Sequence, residues 1–310
     1  MDSIESVLNI TATQVKTLLT QFNSGDLEFF QTYFNALPTA KIESTNVKNA
    51  TVNATLFVDE THIGQGGYGT IYKNRSEPYV YKVIDDYKRV ENTNSLLYLK
   101  TNFKEAIIQT LLQSDANYGK YVCRLYKVYR SGNNFVFRIE PLETTLEKYI
   151  YENRFEESRD ETLAKALLKL IEILNYFYVT YGFNHYDMSL SNAMTVKAGT
   201  VAENLKLIDF GKSTVRFGEI QIGESGKRSD TVNLYKNIMY YLAEKDRKPF
   251  AKIVKQPPET PIGTLSGILY AKPKANAQPK AKPQLKAKTT GNANKGGYRK
   301  RAISTRKNRS

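Results

Sequence analysis

Two short stretches of the sequence place oxygen-bearing side chains at a spacing suited to phosphate chemistry. The segment NHYDMSLSN contains Asp187 and Asn192, and LIDFG, seventeen residues after Asn192, contains Asp209. A carboxylate can orient or deprotonate an attacking hydroxyl, and an amide and a second carboxylate can both bind Mg²⁺. Phosphoryl transfer requires these parts because its barrier falls mainly through positioning and charge neutralisation. Together the two stretches indicate phosphoryl transfer.

A glycine-rich segment earlier in the chain, IGQGGYGTIYK, begins the other half of such a site. Its glycines are Gly64, Gly66 and Gly69. Glycine costs roughly 0.5–1 kcal/mol relative to alanine inside a regular element, so the cluster indicates a tight turn or a ligand held against bare backbone. A later strand contributes Lys82, whose charge can meet phosphates, and the next helix contributes Glu105, whose carboxylate can hold that lysine.

In this order, the motifs resemble those of the eukaryotic-type protein kinase superfamily, over about residues 57–242. The resemblance implies ATP and Mg²⁺ as cofactors, with the three glycines covering the ATP phosphates. It implies that Lys82 contacts the α- and β-phosphates with Glu105 as its partner, and that Asp187 orients or deprotonates the substrate hydroxyl. The implied magnesium ligands are Asn192 and Asp209.

The same resemblance assigns the adenine end of the site and one structural histidine. Ile139 would lie at the back of the adenine pocket, and the segment from Glu140 to Leu142 would be the hinge. His185 would brace the catalytic loop, which is the segment NHYDMSLSN, because the family uses this histidine structurally and not as a general base.

Two positions depart from the family pattern. Tyr186 stands where many kinases have an arginine that binds a phosphorylated activation loop, so we predict activity without loop phosphorylation. Ser189 stands where serine/threonine kinases carry a lysine on the transferring phosphate. That loss should slow the chemistry unless another cation serves, and Lys212, directly after DFG, is a candidate.

The large lobe also departs from the family pattern, because no APE motif follows DFG and the segment SDTVNLYKNIMYYL, residues 229–242, already has the pattern of the helix that anchors this lobe. Asp230 would be its internal brace. The predicted activation segment is therefore short, and the later substrate-binding helices are predicted to be missing. These features are similar to the small kinase of the KEOPS complex, and the composition is similar to that of serine/threonine kinases of large DNA viruses.

The elements that position these residues follow from hydrophobic periodicity. Strand patterns in LFVDETHI, TIYKN and PYVYKVI, the hairpin RLYKVYR and NNFVFRIE, and a helix over Asn102–Gln113 predict a five-stranded antiparallel small lobe. After Pro141 the pattern becomes helical, near Leu146–Tyr151 and over Glu161–Tyr181, with no strand pattern before LKLIDFG. We therefore predict an α+β, two-lobed kinase-like fold with a reduced helical large lobe.

Four regions are predicted along the chain: a helical extension over residues 1–55, the small lobe over 56–140, the shortened large lobe over 141–269, and a disordered tail over 270–310. In the extension, helical spacing over residues 3–22 and a segment from Leu27 to Leu37, with Asp26 as cap and Pro38 as stop, predict helices. They would pack on their own chain or on a partner.

The sequence also limits the cellular compartments in which the protein is expected. The single cysteine, Cys123, excludes an internal disulfide framework, and the amino terminus lacks the basic flank and apolar run of a secretory signal. No stretch approaches the eighteen or so apolar residues of a membrane span. We therefore predict an intracellular protein without a membrane partner, in cytoplasm or nucleus, or in a virion if it is viral.

The net charge of +14 is concentrated in the tail. Residues 270–310 hold thirteen Lys or Arg and no acid, which leaves 32 basic and 31 acidic groups elsewhere. Prolines and lysines in AKPKANAQPKAKPQLKAK predict a disordered segment that binds nucleic acid or another polyanion. A solubilising tail or a nuclear localisation signal are the alternatives.

Three functions fit these observations. The first is a serine/threonine protein kinase that acts on protein substrates, with a possible protein partner completing the large lobe. The second is a weak or inactive kinase-fold scaffold, or a virion-associated packing protein, which Ser189 and the short lobe motivate. The third is small-molecule phosphotransfer, which uses a similar loop, although the glycine-loop spelling and DFG favour a protein kinase.

Overall fold

The computed structural model describes residues 3–23, 26–43, 57–66, 69–74, 77–84, 95–196, 201–223, 230–250 and Ile262. The helices are α1 Ile4–Leu8, α2 Ala12–Thr20, α3 Leu27–Ala36, α4 Ser95–Gln113, α5 Leu146–Glu152, α6 Arg159–Tyr181 and α7 Asp230–Tyr241. The strands are β1 Lys41–Glu43, β2 Phe57–Gly66, β3 Gly69–Asn74, β4 Val80–Ile84, β5 Leu125–Ser131, β6 Asn134–Ile139, β7 Thr144–Thr145, β8 Ala193–Thr195, β9 Leu205–Leu207, β10 Val215–Phe217 and β11 Ile220–Ile222. The predicted tail over 270–310 lies outside the described residues, as does most of the predicted end of the large lobe.

The small lobe contains the five predicted antiparallel strands in the order β2-β3-β4-β6-β5. Their bounds agree with the predicted strands to within a few residues. In β4, the buried residues Tyr81 and Val83 flank Lys82, so the lysine projects from the opposite face.

A sixth strand, which the sequence did not predict, extends this sheet. β1 pairs with β2 in parallel, and the residues just before β1 bond to β5 at the other edge: Ala40 N donates to Arg130 O at 2.8 Å, and Arg130 N donates to Pro38 O at 2.9 Å. The segment Pro38–Glu43 therefore contacts both outer strands of the antiparallel part. Three residues are too few to show a period, which is why the strand escaped sequence analysis.

The extension packs on its own chain, which was one of the two predicted alternatives. Its described residues form three helices, and Asn9, with a left-handed φ of 58°, separates α1 from α2. Asp26 caps α3 by accepting from Phe29 N at 3.0 Å, as predicted. Phe34 on α3 meets Phe135 on β6 with ring centroids 4.8 Å apart. The extension and the small lobe thus share one apolar core.

Helix α4 is longer than its predicted counterpart. It begins at Ser95, seven residues before the expected start at Asn102. Its buried face includes Phe103, Ile107 and Ile108, which pack in the same core as the helices of the extension. Helices α1 and α3 both contact α4.

The large lobe is built on α5, α6 and α7, at or within two residues of the predicted helix bounds. The expectation of no strand before LKLIDFG is wrong, because the short strands β7 and β8 precede it and form a three-stranded sheet with β9. The antiparallel pair β10 and β11 follows the DFG motif. Strands of two or three residues carry no readable alternation.

In the part of the chain that the structure describes, no helix is long and apolar enough to cross a membrane.

Candidate active site

Strand β4 and helix α4 bring Lys82 and Glu105 together. Lys82 Nζ donates to Glu105 Oε1 at 2.6 Å, and the two side chains are 14% and 6% exposed. Burial opposes the charged form of the lysine, but the carboxylates of Glu105 and Asp209 outweigh it and raise the pKa of Lys82. Lys82 therefore stays cationic at neutral pH.

The DFG segment places Asp209 beside this pair. Asp209 has φ of 61°, and its Oδ1 lies 3.6 Å from Lys82 Nζ. Phe210 is fully buried and packs on His185 and Phe183, with ring centroids 5.5 and 6.1 Å away, so the turn is fixed on its inner side. Burial alone would raise the pKa of Asp209, but Lys82 dominates and lowers it. The carboxylate is therefore ionised and available to a cation.

The catalytic loop is held from below by two buried side chains. Asp230 at the start of α7 accepts from His185 N at 2.7 Å and Tyr186 N at 2.8 Å, which confirms it as the internal brace. The His185 ring is fully buried, and its Nε2 donates to Ile208 O at 3.0 Å. A histidine in this position cannot reach a bound substrate, in agreement with its predicted structural role.

The loop side chains above this brace face the cleft. Asn192 Nδ2 donates to Asp187 O at 2.7 Å, which orients the amide oxygen away from the loop. Lys212 Nζ donates to Asp187 Oδ2 at 2.8 Å. Ser189 Oγ lies 2.6 Å from Ser191 Oγ, so these two hydroxyls bond to each other.

One cleft of about 700 Å³ collects most of the predicted residues. Those that line it are Gly69, Lys82, Glu105, Ile139, Glu140, Leu142, Asp187, Asn192 and Asp209. Gly64 and Gly66 lie in β2, opposite Ile71 and Gly69 of β3, while the residues at the tip of this hairpin are outside the described part. The structure thus brings lysine, acids and amide together from both lobes.

The hinge residue Glu140 has a second, structural use. Its Oε1 accepts from Arg124 N at 2.8 Å and forms an ion pair with Lys206 Nζ at 2.9 Å. Glu140 N donates to Arg124 O at 2.9 Å, so both the main chain and the side chain of Glu140 bond to Arg124, which directly precedes β5. The Glu140 side chain in the predicted hinge is therefore engaged by Arg124 and Lys206.

Apart from Ile139 and Leu142, sequence analysis did not identify the apolar lining of this cleft. Ile71 and Val80 contribute from the small lobe, and Met194 and Ile208 contribute from the large lobe. Such a pair of apolar surfaces suits a flat aromatic base. The available signal was their position: Val80 lies two residues before Lys82, and Ile208 directly precedes Asp209.

Packing explains why position 69 is a glycine, and the sequence alone did not show this reason. A Cβ at this position would lie 2.3 Å from Val83 O, inside any permitted contact. The backbones of β3 and β4 therefore require glycine here whether or not a ligand is bound. The predicted role in covering phosphates remains a prediction for all three glycines.

The oxygen-bearing side chains of the cleft suit Mg²⁺ only if a bound ligand supplies further oxygen atoms. Among the described residues, no group of three or more His, Cys, Asp or Glu could hold a metal by itself. Mg²⁺ is commonly held by one or two carboxylates together with substrate phosphates, and Asp209 and Asn192 supply oxygen ligands of that kind. The residues present therefore fit Mg²⁺ carried by a nucleotide.

Comparisons with known proteins found a matching family and similar solved structures. The protein kinase domain family matches residues 57–221, just over half of the 310. Among solved structures, a crystal structure of a kinase domain has a TM-score of 0.43 and 18% identity, covering 62% of this chain and 61% of its own. The BubR1 kinase domain has a TM-score of 0.41 and 20% identity, covering 66% and 60%. The match thus spans about three fifths of each solved chain, and no curated protein sequence matches significantly.

Proposed function

The chain belongs to the protein kinase family, and we propose that it is an ATP- and Mg²⁺-dependent serine/threonine protein kinase. The observation that carries the proposal is the Lys82–Glu105 ion pair of 2.6 Å, with Asp209 3.6 Å from the same lysine. Lys82, Glu105, Asp187 and Asp209 all line one cleft. This supports the proposal, because phosphoryl transfer needs a fixed cation and carboxylates that can bind Mg²⁺ and orient a hydroxyl.

Each residue of the cleft has a distinct role in this proposal. Lys82 binds the α- and β-phosphates, and Glu105 holds its ammonium in place. Asn192 and Asp209 hold Mg²⁺, which neutralises phosphate charge when bound. Asp187 accepts a hydrogen bond from the substrate hydroxyl and orients its oxygen toward the γ-phosphorus.

Radiolabelled ATP with the purified full chain tests the proposal. Generic protein substrates and peptides that offer serine, threonine or tyrosine would be compared, with Asp187→Asn as the inactive control. We expect label on serine or threonine, lost by at least about 100-fold in the control. Transfer only to tyrosine would contradict the residue preference, and transfer that persists in the Asp187→Asn variant would contradict the assigned site.

The rival function is a kinase-fold scaffold that binds nucleotide without transferring phosphate. Ser189 favours it, because its hydroxyl bonds to Ser191 and supplies no positive charge to the cleft. Saturable ATP binding without label transfer to any protein would support the scaffold. Label transfer to an aminoglycoside or choline in place of protein would support small-molecule phosphotransfer.

We also propose that activation-loop phosphorylation is not required. Ser213 and Thr214 are buried, and Asn184 and Thr214 exchange main-chain hydrogen bonds of 2.9 and 3.1 Å, which order the segment without a phosphate. Combined Ser225→Ala and Ser229→Ala replacement should leave kinase activity within about threefold of wild type. A complete loss of activity would overturn this part of the proposal.

Three further features remain proposals from the sequence. The tail over 270–310 binds nucleic acid or another polyanion, which a salt-dependent affinity lost on truncation after Leu269 would support. A protein partner completes a shortened large lobe of the KEOPS-like type. The source is viral and the protein acts inside the host cell or virion, on the support of the Tyr-, Asn- and Lys-rich composition without tryptophan.

A further inference from the structure

Lys212 forms an ion pair with Asp187, which lines the cleft, and the geometry of this pair bears on the cation that is missing at position 189. Lys212 Nζ lies 2.8 Å from Asp187 Oδ2, and the two side chains are 50% and 34% exposed. An ammonium group has three donors, so one can stay on the carboxylate while another reaches a second acceptor. Asp187 faces the substrate hydroxyl in the proposed function, so this second acceptor would lie beside the reacting atoms.

The main chain around Lys212 is fixed, although its side chain is exposed. Lys212 ends a short 3-10 turn that begins at the fully buried Phe210, and Ser213 N donates to Phe210 O at 3.0 Å. Ser213 is fully buried, and its Oγ donates to His185 O at 3.2 Å. The residues on both sides of Lys212 are thus fixed against the catalytic loop, and the long Lys212 side chain is directed to Asp187.

We infer that Lys212 is the cation that contacts the transferring phosphate and orients Asp187. It would replace the lysine that other kinases carry at the position of Ser189. The inference rests on the proposed function and adds one residue to it. Lys212 occupies Oδ2 of Asp187 and leaves Oδ1 to the substrate hydroxyl. That hydroxyl oxygen forms a bond to the γ-phosphorus, the bond from γ-phosphorus to the bridging oxygen breaks with its electron pair on ADP, and the proton passes to Asp187. Lys212 offsets the negative charge on the oxygens around the phosphorus.

Four variants of the full chain test the inference: Lys212→Ala, Lys212→Arg, the double variant Ser189→Lys with Lys212→Ala, and Lys165→Ala. Lys165 is a matched control, because its Nζ pairs with Glu161 Oε1 at 2.7 Å on the exposed face of α6, where it has no assigned role. Two quantities would be measured: kcat and KM for ATP, and the affinities for ADP and for the β,γ-imido analogue of ATP with Mg²⁺ by calorimetry.

We expect Lys212→Ala to lower kcat by about 100-fold, the loss typical of one stabilising donor, with KM for ATP changed much less. The ratio of analogue affinity to ADP affinity should fall, because only the analogue has a γ-phosphate. Lys212→Arg should retain part of the wild-type kcat and part of the affinity ratio. The double variant should recover most of these two quantities, since Ser189→Lys returns a cation to the loop. Lys165→Ala should match wild type.

Two results would overturn the inference. If Lys212→Ala equals or exceeds wild type in kcat, the ion pair is dispensable or an inhibitory cap on Asp187. If kcat falls but the affinity ratio is unchanged and the double variant recovers nothing, Lys212 acts on the loop structure and not on the phosphate. The affinity ratio requires no turnover, so it decides the role of Lys212 even if the wild-type chain transfers no phosphate and the proposed function fails.

Discussion

Two lysine–carboxylate pairs each contribute a carboxylate to the lining of the same cleft, and the pairs differ in their exposure to solvent. The Lys82–Glu105 pair is 14% and 6% exposed, whereas the Lys212–Asp187 pair is 50% and 34% exposed. Separating a buried pair leaves an uncompensated charge in a medium of low polarity, whereas water screens the separated partners of an exposed pair. The first pair is therefore suited to hold a fixed geometry, and the second to exchange partners during a reaction cycle.

The largest expected effect comes from breaking the buried pair. Lys82→Met should destabilise the fold by roughly 3–5 kcal/mol, because Glu105 is left buried without its partner, and should abolish transfer. The double variant Lys82→Met with Glu105→Leu should regain much of the lost stability but no activity. Urea unfolding gives the free energies, and labelled ATP gives the activity. Equal stability of Lys82→Met and wild type would end the distinction between the two pairs.

The next effect tests how the extension supports the buried pair. Phe34 packs on Phe135, and α3 rests on α4, which carries Glu105. Phe34→Ala should cost roughly 3–5 kcal/mol of unfolding free energy through the cavity it leaves. Phe155, which is 87% exposed, provides the control, and Phe155→Ala should change stability by less than about 0.5 kcal/mol. If Phe34→Ala behaves like this control in thermal unfolding, the extension is not part of the kinase core.

A carboxylate of intermediate exposure gives a smaller, pH-dependent effect. Asp115 Oδ1 accepts from the main chain of Asn117 and Tyr118, and its Oδ2 accepts from the hydroxyls of Tyr176 and Tyr181. Burial raises its pKa, but these hydrogen bonds outweigh burial and lower the pKa below its usual value. The carboxylate is thus more acidic in the folded chain, so its stabilisation is present at neutral pH and lost as pH falls.

Asp115→Asn should therefore destabilise the fold at pH 7 by on the order of 1 kcal/mol. The difference from wild type should shrink as pH falls below about 4, the ordinary range for an aspartate, since the wild-type carboxyl becomes protonated there. Denaturation at a series of pH values measures it. A difference that grows on acidification would have the wrong sign for this explanation.

The smallest stability effect belongs to the exposed pair. Lys212→Ala should change the unfolding free energy by less than about 1 kcal/mol, as is typical of an exposed ion pair. Its proposed effect on kcat is large, so stability and activity should separate here, whereas both fall in Lys82→Met. A loss of stability at Lys212 comparable to that at Lys82 would remove the contrast.

Sequence analysis predicted the parts of the molecule that have local signals. Lys82, Glu105, Asp187, Asn192 and Asp209 lie in or beside motifs with fixed order, and the structure brings them to one cleft. The long helices and the five antiparallel strands carry readable periods. The sequence could not show contacts between distant segments: the sixth strand and the approach of β4 that requires glycine at position 69 depend on neighbours far along the chain. Nor could it tell which side chain Lys212 would meet.

The segment Pro38–Glu43 has a practical consequence for anyone who shortens this chain. An outer strand with unpaired main-chain groups is a template on which another molecule can add a strand. A fragment that begins at residue 56 would lack the hydrogen bonds that the segment makes to β2 and to β5. Such a fragment would expose unpaired main-chain groups on β2 and β5. Its aggregation could then be mistaken for a loss of catalytic activity.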